Sequence, residues 1–213
     1  MNFIVLSSSR GTTFQSTLDA IERGDLQARC IGLVTNRADA GCIDKARNAN
    51  VPVAIVEPKP QESAENYDKR LHAEIMKLVD QQANSQFSIL HSQFCVAAMG
   101  WMRILTPWFI RQWTGRILNV HPALLPKYGG KGMFGDRVHQ AVLDAKEKES
   151  GITIHLMDEG IDTGPILLQK KCAVEPGDTV ETLRNRVQAL EREWYPKVLQ
   201  MIHTGELSIP SNS

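Results

Sequence analysis

The chain has 213 residues, of which 42% are hydrophobic and 23% charged, a balance that fits one folded domain and excludes a disordered segment. Lys+Arg and Asp+Glu both number 24, so there is no basic footprint for nucleic acid or a membrane surface, and small-molecule partners are expected. The four cysteines, Cys30, Cys42, Cys95 and Cys172, form no C-x-x-C pair, which excludes a zinc ribbon and a disulfide framework.

Short apolar runs alternate with helical periodicity, the pattern of an α/β fold: a single Rossmann-like domain whose mostly parallel central sheet is flanked by helices. Phe3–Leu6 reads as the first buried strand and, with no basic segment ahead of it, not as a signal peptide. The loop Ser7-Ser8-Ser9-Arg10-Gly11-Thr12 follows, and Phe14, Leu18 and Ile21 then recur at helical spacing until Gly24. Ile31–Val34 and Val51–Val56 predict the second and third strands, with a short helix from about Cys42 to Ala49 between them. Ser63 is placed to cap a helix carrying Tyr67, Leu71, Ile75 and Leu78.

The stretch from Gln81 to Met102 lacks Lys, Arg, Asp and Glu, yet its Gln, Asn, Ser and His content makes it too polar to span a bilayer. Phe87–Leu90 and Phe94–Ala98 both read as strand, and periodicity leaves open which one enters the sheet centre. Ile117–Val120 predicts another buried strand that delivers the chain into Asn119-Val120-His121-Pro122. Gly151–Met157 alternates, with Ile152, Ile154 and Leu156 on one face and Thr153 and His155 on the other, and Ile166–Gln169 opens a further strand. Asp178, with Glu181 three residues on, reads as a capping box for the last helix. Val180, Leu183, Val187, Leu190, Trp194 and Val198 form that helix's apolar stripe. One domain over residues 1–207, a short tail over 208–213 and a soluble, cytoplasmic protein are the expectation.

Three segments carry candidate chemistry. The loop after the first strand meets a helix N-terminus, where unpaired backbone N–H groups, the Arg10 charge, Gly11 and the Thr12 and Thr13 hydroxyls suit a phosphate monoester; the plain alternative is an ordinary strand-to-helix turn. No GxGxxG or Walker pattern is present, so neither a dinucleotide nor a triphosphate is indicated. Asn119 and His121, two apart at a strand end, converge on one side of the sheet edge. Asp158-Glu159-Gly160-Ile161-Asp162-Thr163-Gly164-Pro165 is a tight turn at a comparable edge, without the ligand spacing of a calcium loop. An Asn, a His and an Asp with no paired Ser or Cys nucleophile suit acyl transfer in which the substrate's own amine attacks. Asn119 would donate to the oxyanion, His121 would shuttle a proton, and Asp162 would orient His121 and favour its cation. Most of the six histidines, His72, His91, His121, His139, His155 and His203, are expected to be structural.

The run Asn119-Val120-His121-Pro122-Ala123-Leu124-Leu125-Pro126-Lys127-Tyr128, followed by the Asp158–Pro165 turn, resembles the folate-dependent formyltransferases over nearly the whole chain. Within them it is most similar to the branch acting on glycinamide ribonucleotide. The resemblance implies transfer of the formyl group of 10-formyltetrahydrofolate, a co-substrate, to the ribonucleotide's amine in purine biosynthesis, with no metal. It implies Asn119, His121 and Asp162 as the catalytic trio, and Arg10, Gly11, Thr12, Thr13, Gln188 and Glu191 at the substrate's phosphate and ribose. For the folate it implies Met102, Arg103, Ile104 and Leu105 together with Asn119, Met157, Asp158, Glu159, Gly160, Ile161 and Asp162.

The sequence departs from the family's G-S-N phosphate loop at Gly11-Thr12-Thr13, carries an extra segment over Ala83–Gln93, and has a longer glycine-rich piece over Gly129–Asp136. A tRNA-formylating relative would add a C-terminal domain and a deformylase an N-terminal one. Alternatives that stay open are an amino-sugar nucleotide acceptor, deformylation of the folate, and a non-catalytic folate- or phosphate-binding module. No nucleic-acid or membrane partner is expected, and the chain is expected to be a monomer or homodimer.

Overall fold

In the computed structural model, which describes residues 1–82 and 94–209, seven strands form one sheet in the order β3-β2-β1-β4-β5-β6-β7. The strands are β1 (Asn2–Leu6), β2 (Arg29–Thr35), β3 (Val53–Ile55), β4 (Phe94–Ala98), β5 (Ile117–His121), β6 (Glu149–Leu156) and β7 (Ile166–Ala173). The first five in chain order are parallel, while β6 pairs antiparallel with β5 and β7 antiparallel with β6. The helices are α1 (Thr12–Glu22), α2 (Cys42–Asn48), α3 (Ala64–Gln82), α4 (Pro107–Gln112), α5 (Asp136–Asp144) and α6 (Val180–Thr204).

The period-2 alternation of β1 builds two cores at once. Phe3 and Val5 face one side, with Phe14 of α1 and Leu183, Val187, Tyr195 and Leu199 of α6. Ile4 and Leu6 face the other, with Tyr67, Leu71 and Ile75 of α3 and Phe109 of α4. Side chains of this size contribute about 1.5–3 kcal/mol each when fully buried, so α1 and α6 on one face and α3 on the other clamp the sheet. Tyr195, fully buried, donates its Oη–H to the Leu118 carbonyl at 2.9 Å and so ties α6 to β5.

Phe94–Ala98 takes the central place between β1 and β5; Phe87–Leu90 and the Ala83–Gln93 segment lie outside the described residues. Strand β6 is buried on both faces, so its alternation separates two interiors rather than core from solvent. The cap of α6 is Thr179, not Asp178: the Thr179 hydroxyl accepts the Thr182 N–H at 3.2 Å and the Thr182 hydroxyl accepts the Thr179 N–H at 2.9 Å. Asp178 is drawn instead to Arg186 at 2.6 Å and accepts the Glu175 N–H at 2.7 Å. The Arg186 guanidinium holds its carboxyl well below the usual carboxylate range. Leu183, Val187 and Val198 of the expected stripe are buried, whereas Val180, Leu190 and Trp194 are only half-buried. Among the described residues no helix is long and apolar enough to cross a membrane.

After β1 the chain turns toward β2 on one side, and after β4 toward β5 on the other. The loops leaving their carboxyl ends therefore diverge and leave a crevice, the place where open α/β sheets bind ligands.

Candidate active site

The crevice is a cleft of about 440 Å³, within the range of small-molecule sites. Four loops and one helix face build its walls. From β1 come Arg10, Gly11, Thr12 and Thr13; from β4, Met102, Arg103, Ile104 and Leu105; from β5, Asn119 and His121. Met157, Asp158, Gly160, Ile161 and Asp162 follow β6, and Arg184, Gln188 and Glu191 come from α6. Of the residues singled out in the sequence, Glu159 alone does not line the cleft; it pairs with Arg111 at 3.1 Å on the surface. Lys131, Met133, Phe134 and His139, from the glycine-rich segment and α5, line it as well.

The β1 loop is shaped by Gly11, the N-cap of α1, whose φ of +74° lies in the left-handed region. A Cβ there would stand 2.8 Å from the Cys42 Cβ, so a side chain is excluded by space as well as by backbone conformation. No side chain caps α1, which leaves its first N–H groups facing the cleft loop. Thr13 donates its hydroxyl to Glu191 Oε2 at 3.3 Å, joining this loop to α6. Burial pushes the Glu191 carboxyl up to about 7, against the lowering effect of that hydrogen bond.

In the β4 segment Met102 is 53% exposed and Ile104 63%, while Leu105 is buried. The segment is anchored by the Met102 N–H to Ser8 Oγ at 3.2 Å, and by Thr106 N–H and Oγ1 to Asp68 Oδ2, both at 2.6 Å. Arg103 stacks on the Tyr67 ring at 4.1 Å. Exposed apolar side chains on a fixed backbone offer a flat aromatic ligand a face to pack on.

At the head of the cleft, Asn119 and His121 point to the same side of β5, and the Asp162 turn closes over them. His121 Nε2 donates to the Tyr128 carbonyl at 2.7 Å, and Nδ1 stands 3.5 Å from Asp162 Oδ2. Asp162 Oδ2 also accepts the Gly130 N–H at 3.0 Å, so the glycine-rich segment is fastened to the acid. A Cβ on Gly129 would come within 2.5 Å of Leu125 Cδ2 and 3.3 Å of Asp162 Cβ, which explains the glycine there. Asp158 builds the turn itself, accepting the Gly160 N–H at 3.0 Å and the Thr163 hydroxyl at 2.6 Å.

Two buried histidines were not among the candidates. His155, on β6, lies across the ladder from Asn119, with Nε2 3.1 Å from Asn119 Nδ2. His139, on α5, is 2% exposed, and its Nδ1 has no hydrogen-bond partner among the described residues. Burial lowers both imidazoles from their ordinary value. Only the antiparallel pairing of β6 on β5 and the presence of α5 reveal them, and neither follows from local periodicity. Among the described residues no group of three or more His, Cys, Asp or Glu is placed to hold a metal ion.

The Formyl transferase family model matches residues 1–199. Phosphoribosylglycinamide formyltransferase of Escherichia coli (strain K12) is 32% identical over 213 residues, covering 100% of this chain and 92% of that relative. The protein of the same name from Haemophilus influenzae is 33% identical over 208 residues, covering 98% of this chain and 90% of the relative. The crystal structure of glycinamide ribonucleotide transformylase 1 from Symbiobacterium toebii matches with a TM-score of 0.85 and 31% identity, covering 99% of this chain and 91% of that chain. The trifunctional purine biosynthetic protein adenosine-3 of Chironomus tentans is 32% identical over 203 residues; the match takes in 94% of this chain and only 14% of that longer relative.

Proposed function

The chain belongs to the formyl transferase family, and on that premise we infer that it moves the formyl group of 10-formyltetrahydrofolate to the amine of glycinamide ribonucleotide, giving formylglycinamide ribonucleotide and tetrahydrofolate. The observation that carries this reading is the meeting of Asn119, His121 and Asp162 at the head of one cleft. The same cleft is lined by the Arg10–Thr13 loop and by the exposed Met102 and Ile104.

The Arg10–Thr13 loop, with Gln188 and Glu191, holds the ribonucleotide by its phosphate and ribose. The Met102–Leu105 wall and the turn over residues 157–162 hold the folate. The two substrates then meet at Asn119, where the amine attacks the formyl carbon. The Asn119 amide donates to the oxyanion as it forms, and the ring of His121, when doubly protonated, adds a positive charge beside it. His121 Nε2 donates to the Tyr128 carbonyl, and its Nδ1 faces the Asp162 carboxylate. The amine loses one proton and the departing folate nitrogen gains one; His121, beside Asp162, relays by giving its proton to that nitrogen before it takes up the amine's.

The test is acceptor dependence. Tetrahydrofolate should be released from 10-formyltetrahydrofolate only when glycinamide ribonucleotide is present. Equal release without it would assign deformylation, and release only with an amino-sugar nucleotide would assign the sugar acceptor. The protein acts on these small molecules as a monomer or homodimer in the cytoplasm.

A further inference from the structure

We propose that His155 is a positioning residue for this reaction, holding the Asn119 side-chain amide in the one orientation that leaves an N–H for the oxyanion. The inference rests on the formyl-transfer reading above. An asparagine amide can sit in either of two orientations related by a 180° flip, and only its neighbours decide which. Here the deciding neighbour is a histidine with a single available tautomer.

His155 Nδ1 lies 3.0 Å from the Leu156 carbonyl oxygen, which can only accept, so Nδ1 carries the proton. In the neutral ring Nε2 is then a bare acceptor. It stands 3.1 Å from Asn119 and selects the amide nitrogen over the amide oxygen. One Nδ2 hydrogen is consumed by His155, and the second remains for the reacting oxygen. His155 is 1% exposed and does not line the cleft, so it acts through Asn119.

The charge of the ring is set by the groups around it. Burial favours the neutral form, and so does His121 on β5; Asp162, with Oδ1 at 3.7 Å from Nε2, and Asp158 in the same turn favour the cation. Burial is the largest of these effects and keeps the ring neutral. Protonation would turn Nε2 into a donor and reverse the Asn119 amide.

The experiment compares His155→Gln with His155→Leu, under steady-state conditions with 10-formyltetrahydrofolate and glycinamide ribonucleotide. The Gln Oε1 can accept the same Asn119 bond and leucine cannot. His155→Leu should lose about 10–100-fold in kcat, with KM for both substrates within about threefold, while His155→Gln stays within about fivefold of the parent. Leucine within twofold of the parent, or glutamine falling as far as leucine, would overturn the proposal. Turnover by the parent in the same assay separates failure of this inference from failure of the formyl-transfer reading. A long-range ¹H–¹⁵N correlation spectrum of the unsubstituted protein, which needs neither turnover nor a folded variant, should show His155 neutral and protonated on Nδ1 at pH 7. A ring protonated on Nε2, or on both nitrogens, would overturn it.

Discussion

Asp162 faces His121 with Oδ2 3.5 Å from Nδ1, and that same oxygen accepts the Gly130 N–H at 3.0 Å. The acid is therefore fixed on one side by backbone and presented on the other to the ring. His121 Nε2 bonds the Tyr128 carbonyl at 2.7 Å, which leaves Nδ1 as the nitrogen turned to the acid.

Asn119→Ala removes the only side-chain donor that β5 places beside His121 in the head of the cleft. Turnover should fall on the order of 10²–10³-fold, as when other oxyanion donors are lost, with KM for either substrate changed much less. Steady-state kinetics at saturating folate measure it; activity within a fewfold of the parent would remove Asn119 from the role.

Asp162→Asn keeps the shape of the turn and replaces an acceptor that serves both His121 and Gly130. The ring loses the carboxylate that faces its Nδ1, so kcat should drop by about 10²-fold or more and the rate should shift its dependence on pH. Rates measured from pH 5 to 9 decide this. An unchanged profile would take Asp162 out of the proton chemistry.

Glu191 contributes to pH-dependent stability with a definite sign. Burial raises its folded carboxyl to about 7 from the ordinary 4.5. The folded state thus binds the proton more tightly than the unfolded chain. The contribution is fully present below about 4.5 and is lost as pH rises through about 7. Glu191→Gln removes that loss and should stabilise the unliganded protein at pH 8 by on the order of 2–3 kcal/mol relative to pH 4.5. Denaturant unfolding at the two pH values measures the difference. Because the proposed reading sets the same carboxyl against the ribonucleotide, KM for that substrate should rise in the variant while KM for the folate does not.

Gly11→Ala tests the β1 loop. At φ +74°, with a Cβ 2.8 Å from Cys42, alanine forces the loop or α2 to move. We expect a stability loss of about 1–3 kcal/mol and a rise in ribonucleotide KM of at least tenfold, with folate binding near normal. Equal weakening of both substrates would mean that the loop does not hold the ribonucleotide separately.

How far the sequence reached can be judged from particular residues. The alternation of Phe3–Leu6 and the spacing of Phe14, Leu18 and Ile21 locate β1 and α1, because both are local patterns repeated over several residues. The α6 cap shows the limit of such patterns. Asp178–Glu181 and Thr179–Thr182 each carry half of the motif, one residue apart, and Arg186 draws Asp178 away at 2.6 Å, leaving the cap to Thr179. Asn119, His121 and Asp162 are legible as a set because their motifs are distinctive. His155 is not, since its meaning comes from lying across from Asn119 in an antiparallel ladder, and strand order is a long-range property. The helix α5, which carries the cleft-lining His139, has only Val138, His139 and Val142 as its buried side, too short an apolar pattern to announce itself after a segment with four glycines, Gly129, Gly130, Gly132 and Gly135.

The central claim concerns where the formyl carbon goes, and following that atom tests it most directly. With ¹³C in the formyl group of 10-formyltetrahydrofolate, the label should appear by NMR as a formamide carbon on the ribonucleotide's glycinamide, in a one-to-one ratio with tetrahydrofolate. Label recovered as free formate while the ribonucleotide stays unlabelled would contradict the account.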